Sequence, residues 1–269
     1  MSTENIIVEA EGGARLAVDV NGKGPDLLLV TGLGGTSAFW DPLVEPLAER
    51  FRVLRLDQRG VARSTRGEVA KLDIDVLARD CHAVLNHAGV GRALLVGHST
   101  GGVILQTMAL QDEAPIRGLV LSGTWLKPNR YMTELFTSRK DVLRQLPRAY
   151  AAQLVFSAYP PDWLNRHWER FEAAIAGALT EPAAREAMIE RIDAIIAYDR
   201  SAEVGRITAP AIIVGAEDDL IVPAFLQREL LQAFPGARSH FFPNGGHFFP
   251  ITQAEGFLRL VSDFAERIA

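Results

Sequence analysis

The chain has a single cysteine, Cys81, among its 269 residues. No internal disulfide can form, and metal sites built on several thiolates are excluded. There is no surplus of basic charge either. Lys and Arg number 28 against 33 Asp and Glu, a formal charge of −5. That balance gives no electrostatic pull toward nucleic acid or acidic membrane surfaces. No apolar run approaches the ~18 residues that a membrane span needs. The opening Met1-Ser2-Thr3-Glu4-Asn5 lacks a basic segment followed by a long apolar one, so no signal peptide is expected. Repeats and low-complexity tracts are missing too. What is left is an ordinary globular composition, 48% hydrophobic and 23% charged, on a chain long enough for a large core. The expectation is a cytoplasmic protein, monomeric or weakly oligomeric, with no membrane or nucleic-acid partner.

The pattern along the chain is regular at both ends and different in the middle. Ile6–Glu9 and Arg15–Val20 alternate around Glu11-Gly12-Gly13-Ala14 and predict an opening hairpin. Leu27-Leu28-Leu29-Val30, Phe51–Leu56, Ala93–Val96 and Ile116–Leu121 are short, nearly continuous apolar runs, as strands covered on both faces require. Helical spacing separates them at Ser37–Arg50, Ile74–Ala88 and Val103–Leu110. Alternation of this kind predicts an α/β fold with a mostly parallel sheet and helices on both faces. Between about Trp125 and Ser201 the strand signal stops. Segments 130–146, 148–158, 162–178 and 181–199 have helical character, interrupted by Pro128, Pro147, Pro160-Pro161 and Pro182. Strands resume at Ala211–Val214 and Ala237–Phe242, with helices at Pro223–Phe234 and Gln253–Ile268. The reading is eight strands in one core domain, residues 1–124 and 202–269, with a helical lid, residues 125–201, inserted over the strand ends.

Gly97-His98-Ser99-Thr100-Gly101 lies between a buried strand and a buried helix. Gly-x-Ser-x-Gly in that setting is the nucleophile elbow of a serine hydrolase. The turn is too tight for bulk two residues either side of the serine, and glycine stands at both places. The serine oxygen is lifted above the sheet at a helix N-terminus, where backbone N–H groups favour negative charge. A serine hydroxyl needs an adjacent general base. Of six histidines, His82 and His87 lie on the helix Ile74–Ala88, His167 in the lid and His240 inside the last strand. The side chain of His98 is expected to point away from the elbow. His247 follows the last strand, on the sheet end where Ser99 emerges, and matches the chain order Ser, acid, His. The acid must orient His247 and offset its charge. Asp218 and Asp219 both follow the strand ending at Gly215, and position alone leaves them open. The oxyanion formed on attack needs two backbone donors. Thr100 N–H follows the nucleophile directly. Leu33 N–H, in the loop Thr31-Gly32-Leu33-Gly34-Gly35, is the second. That loop lacks the Lys-Ser/Thr ending and full Gly-x-Gly-x-x-Gly of a nucleotide site. Asp57 and Arg59 of Asp57-Gln58-Arg59-Gly60 are read as a loop-fixing pair.

On these residues the chain resembles the α/β-hydrolase superfamily over essentially its whole length. It is similar in finer detail to the aminoacrylate hydrolase group of bacterial pyrimidine degradation. The resembling pieces are Thr31–Gly35 with Trp40, Asp57–Gly60, Tyr159-Pro160-Pro161-Asp162-Trp163, Glu217–Pro223 and Gly245-Gly246-His247. It also resembles the 3-oxoadipate enol-lactonases of aromatic catabolism. The superfamily's usual spacing from Pro210 and from Pro223 favours Asp219 as the acid, whereas counting from Gly215 gives Asp218. One departure is Thr31-Gly32 where His-Gly is more usual. The aminoacrylate group does not always keep a serine at the elbow, and this chain does.

The resemblance and residues together imply a cofactor-independent, metal-free serine hydrolase. Ser99, His247 and Asp219 form its triad, and it cleaves a small carboxylic ester or enol-lactone as an EC 3.1.1-type enzyme. The enzymatic alternative is an aminoacrylate-type C–N or enamine hydrolase. An alternative of another class is a small-molecule signal receptor, since stress-regulator activators and butenolide receptors keep the triad and a similar lid. Trp125, Phe156, Tyr159 and Trp163 are expected to wall the pocket. Other lid aromatics, among them Phe136, are expected mainly to pack.

Overall fold

Residues 3–111 and 115–268 are described by a computed structural model of the chain. Met1 and Ser2, which begin the stretch read for a leader, lie outside the described residues. Eight strands form one sheet in the order β1-β2-β4-β3-β5-β6-β7-β8. They are β1 (Thr3–Ala10), β2 (Ala14–Asn21), β3 (Asp26–Val30), β4 (Arg52–Leu56), β5 (Ala93–His98), β6 (Ile116–Ser122), β7 (Ala211–Ala216) and β8 (Arg238–Phe242). β1 pairs antiparallel with β2, and β2 with β4. All pairs from β4 onward through β8 are parallel. The sheet is therefore mostly parallel, as the alternation of apolar runs and helical spacing required.

Helices cover both faces. α1 (Asp41–Ala48) and α11 (Ala254–Arg267) close one side over Leu27, Leu29, Leu94 and Val96. α2 (Ile74–His87), α3 (Thr100–Ala109) and α9 (Ala224–Ala233) close the other over Leu28, Val30, Leu95 and Leu119. The alternation within β3 and β5 is thus apolar on both faces, which is why their sequences read as continuous runs. Asp73 caps α2 by accepting a hydrogen bond from Val76 N–H at 2.9 Å. Asn129 does the same for Met132 at the start of α4 (Arg130–Gln145).

The chain between β6 and β7 holds five helices: α4, α5 (Pro147–Ala158), α6 (Pro161–Arg166), α7 (Glu169–Ala176) and α8 (Pro182–Ala197). Prolines sit in the first turns of α5, α6 and α8, where no N–H is needed. The expected single segment 162–178 is instead two helices. His167 N–H bonds back to the carbonyls of Trp163 and Leu164, and its ring stacks on Trp163 at 4.0 Å, which closes α6 early. The expected helix over Ser37–Arg50 is likewise a 3₁₀ turn, Ser37–Trp40, followed by α1. A short α10 (Phe249–Thr252) precedes α11.

Candidate active site

The elbow is set by sterics. Ser99 has φ 56° and ψ −121°, one of two positive-φ residues other than glycine among those described. Such a conformation persists only when its surroundings over-determine it. Here Ser99 N–H donates to the Ser122 carbonyl at 2.8 Å, and the Ser99 carbonyl accepts from Gly102 N–H at 2.9 Å. A β-carbon on Gly97 would stand 2.5 Å from the Gly101 carbonyl oxygen, and one on Gly101 2.2 Å from that of Val30. Only glycine lets α3 start this close to β3 and β5.

β8 delivers the histidine. His247 follows it through Gly245 and Gly246, whose N–H groups donate to the Asp218 carboxylate at 3.1 and 2.9 Å. Asp218 thus shapes the turn that carries His247. Its neighbour Asp219 meets the imidazole itself, with Oδ2 2.8 Å from His247 Nδ1. The other oxygen of Asp219 accepts from the N–H groups of Ile221 and Val222, both at 2.9 Å. Those two donors fix the carboxylate before it meets the ring. Both side chains are almost fully buried. The Ser99 hydroxyl makes no hydrogen bond to His247 in this geometry. Contacts of that kind are often long without substrate and tighten when it is seated.

Ser99, His247 and Leu33 line one cavity of about 370 Å³. Its floor is the Thr31–Gly35 loop, Phe39 and Phe248. Its opposite wall comes from the β6–β7 insertion, chiefly Phe136, Arg139, Tyr150, Leu154, Leu179 and Met188. The Thr31–Gly35 loop is held from below. Gln58 Nε2 donates to the carbonyls of Thr31 at 2.8 Å and Gly32 at 3.2 Å, and Arg191 of α8 donates to Gln58 Oε1 at 2.9 Å. Backbone bonds within the two loops use Gly35 N–H and Gly102 N–H, not those of Leu33 or Thr100. Thr100 is buried directly after the serine.

Asp57 and Arg59 do not line the cavity. Asp57 accepts from Ser37 N–H at 2.8 Å and from Arg63 Nε at 2.6 Å. Burial works against ionising Asp57, but the Arg63 and Ser37 bonds outweigh it and hold the carboxyl below its ordinary range. Arg59 is fully buried and grips Asp80 through both Nε and a terminal nitrogen.

Two expectations need correction. The ring of His98 does not point away. β5 and β6 pair His98 with Ser122, so the two side chains are neighbours on the sheet, with His98 Nδ1 3.1 Å from Ser122 Oγ. The ring stacks on Phe39 at 5.3 Å, stands 4.8 Å from the His247 ring and borders the cavity. Burial, reinforced by His247, pushes His98 well below the usual histidine range, which keeps it neutral. The four lid aromatics expected at the wall do not line this cavity. Trp125 is fully buried in the core, its carbonyl accepting from Gln106 Nε2 at 3.1 Å. Phe156 is 54% exposed and rests against Phe171. Tyr159 and Trp163 stack on each other one layer behind Phe248. Phe136, Tyr150 and Arg139 take the wall instead. Met132, Phe136, Arg139 and Leu143 are the buried residues of α4. Their spacing is one helical stripe, and a lone arginine within it was the available signal. Among the described residues no group of three or more His, Cys, Asp or Glu is arranged to hold a metal ion.

The sheet order, the strained serine elbow and the buried His–Asp pair define a class, and the chain belongs to the alpha/beta hydrolase fold family, whose sequence profile matches residues 25–254. Within that class it is similar to the putative carbamate hydrolase RutD of Variovorax paradoxus (strain S110), with 36% identity over 248 residues, 91% of this chain and 93% of the relative. A putative carbamate hydrolase RutD of Escherichia coli O7:K1 (strain IAI39 / ExPEC) is 31% identical over 238 residues, 88% of this chain and 90% of the relative. Among solved structures, the enol-lactonase from Burkholderia xenovorans LB400 superposes with a TM-score of 0.87 at 25% identity, covering 97% of this chain and all of that one. No helix among the described residues is long and apolar enough to cross a membrane.

Proposed function

We propose that the chain is a hydrolase of a small carbamate- or aminoacrylate-type substrate, opening its C–N bond at a site built from Ser99, His247 and Asp219. The observation that carries the chemistry is the buried 2.8 Å His247–Asp219 pair sharing one cavity with a serine in a strained elbow. The substrate class is supported by near full-length similarity to relatives named as putative carbamate hydrolases. Residues 125–201 act as the lid that encloses the substrate against the strand ends.

An aminoacrylate carries its nitrogen on an alkene carbon. There a proton adds at the neighbouring carbon, water activated by His247 adds at the nitrogen-bearing carbon, and loss of ammonia gives an aldehyde without an acyl-enzyme. With a carbamate, Ser99 Oγ attacks the carbonyl carbon and its proton passes to His247 Nε2. The pair of electrons displaced onto oxygen is held by Leu33 and Thr100 N–H. Collapse expels the amine, protonated by His247, and leaves an acyl-enzyme. His247 then takes a proton from water, whose oxygen attacks the acyl carbon and frees Ser99. Asp219 keeps the Nδ1 proton in place and offsets the imidazolium charge. Hydrolysis of an ester or enol-lactone by the same steps is the second reading, favoured by the retained serine and by the likeness to the enol-lactonase.

The test compares wild type and Ser99→Ala on a carbamate, an enamine acid and a p-nitrophenyl ester. Multiple turnover of the carbamate, lost in the variant, is expected. Turnover confined to the ester assigns the second reading. C–N turnover that survives the substitution removes the acyl-enzyme and leaves His247 activating water directly.

A further inference from the structure

The cavity contains one side chain that the chemistry above does not use. Arg139 reaches it from α4, is 5% exposed, and among the described residues is the only lysine, arginine, aspartate or glutamate on the lining. Its guanidinium carbon lies 5.0 Å from the centroid of the Tyr150 ring and 5.5 Å from that of Phe136. Two aromatic rings therefore fix the plane of the fork. Nothing answers its charge. Among the described residues Arg139 makes no hydrogen bond or ion pair, and Nε is buried without a partner.

The other buried arginines differ. Arg59 is paired with Asp80, Arg55 with Asp41, and Arg191 donates to the Gln58 side chain and the Arg59 carbonyl. An unanswered buried cation is unfavourable, and proteins keep such groups when something else satisfies them. The walls beside it are mostly apolar or aromatic, and among the described residues no carboxylate lines the cavity. His98, His247 and Tyr150 are the other titratable groups on the lining, and none carries a fixed negative charge.

We infer that Arg139 is the anion-recognition residue of this site, and that the substrate carries a carboxylate separate from the carbon that is attacked. A guanidinium presents paired N–H donors that match a carboxylate bidentately, so the fork would orient the substrate as well as hold it. The class of substrate is then a small monoanion with its reactive carbon at Ser99 and His247 and its carboxylate at the α4 wall. Neutral esters and neutral carbamates of equal size bind without that anchor. The inference rests on the hydrolase reading for the position of the reacting carbon, but not for the binding of the anion.

The experiment has two parts, so that each idea fails separately. The first measures binding alone. Thermal denaturation of the full chain is followed with and without succinate for wild type, Arg139→Met and Arg139→Lys. Succinate is expected to raise the wild-type Tm and leave that of Arg139→Met unmoved, with Arg139→Lys between them. Without succinate, Arg139→Met is expected to melt no lower than wild type, because removing an unanswered buried charge relieves the fold. A lower Tm for Arg139→Met in plain buffer, or no response of wild type to succinate, overturns the proposal by making Arg139 a structural residue. The second part compares mono-p-nitrophenyl succinate with p-nitrophenyl acetate. The wild-type ratio of kcat/KM is expected to favour the anionic ester, and Arg139→Met to cut that ratio by about tenfold or more. A ratio unaffected by the substitution also overturns it. Succinate binding that depends on Arg139, with neither ester turned over, leaves the anion site standing and removes the ester-competent hydrolase reading.

Discussion

At the scale of single residues, the two adjacent aspartates divide one task. Asp219 holds the imidazole, and Asp218 holds the turn on which the imidazole rides. Asp219→Asn replaces an acceptor at Nδ1 with an amide that favours the wrong tautomer. The expected loss in kcat is about 10³–10⁴-fold, by analogy with other serine triads. Asp218→Asn keeps one carbonyl oxygen for the glycine N–H groups and is expected to lose less than about tenfold. Steady-state rates of the two variants check this, and equal losses would show that the turn matters as much as the pair. Ser99, His247 and the acid loop were legible because their chemistry imposes spacing. Arg139 was harder to see. Its meaning depends on what does not surround it, and a sequence cannot display a missing partner.

At the scale of elements, the loop after β3 is not self-supporting. Gln58, just past β4, carries the Thr31 and Gly32 carbonyls and is itself carried by Arg191 of α8. Burial pulls the Arg191 guanidinium down to about 10, yet it stays charged at neutral pH and keeps its donors. Gln58→Ala leaves the Thr31 carbonyl without this donor and lets the Leu33 N–H shift. A displacement of this kind costs on the order of 10²-fold in rate. The expected pattern is a fall in kcat with a smaller change in KM, and a urea midpoint lowered by the equivalent of about 1–3 kcal/mol. An unaltered kcat would mean that the turn bond from Gly35 N–H to Gly32, at 3.0 Å, suffices. The sheet strands could be read from sequence because burial on both faces leaves uniform apolar runs. The rotation of α4–α8 could not. Proline-broken helices of 6 to 16 residues offer few turns for a stripe to declare itself, so Phe156 and Trp163 were oriented wrongly, and Trp125 and Tyr159 lie in connections between elements, where no periodicity applies.

At the scale of the whole molecule, stability is expected to fall with acid in two stages. His98 is neutral in the folded chain, whereas in the unfolded chain it takes up a proton near the ordinary value of about 6.5. Below that pH the unfolded state binds more protons, so stability declines by at most about 1.4 kcal/mol per pH unit. Asp19 and Asp57 add a second stage. Burial opposes their ionisation, but Arg63 and Ser37 hold both below the usual carboxylate range. Their contribution is intact above about pH 4 and is lost as pH falls through the folded values. Urea midpoints at pH 7 and pH 5.5 check the first stage, since His98→Gln should lose less over that interval than wild type. An equal loss would mean that His98 becomes charged inside the fold. The cavity wall carries a different consequence. In the proposed reaction the groups that make and break bonds are mounted at strand ends, while most cavity side chains opposite them belong to the stretch between β6 and β7. Selectivity and reactivity are therefore written in separate passages of the gene. A library confined to α4 and α5 can search for new substrates while the reaction itself is left unedited.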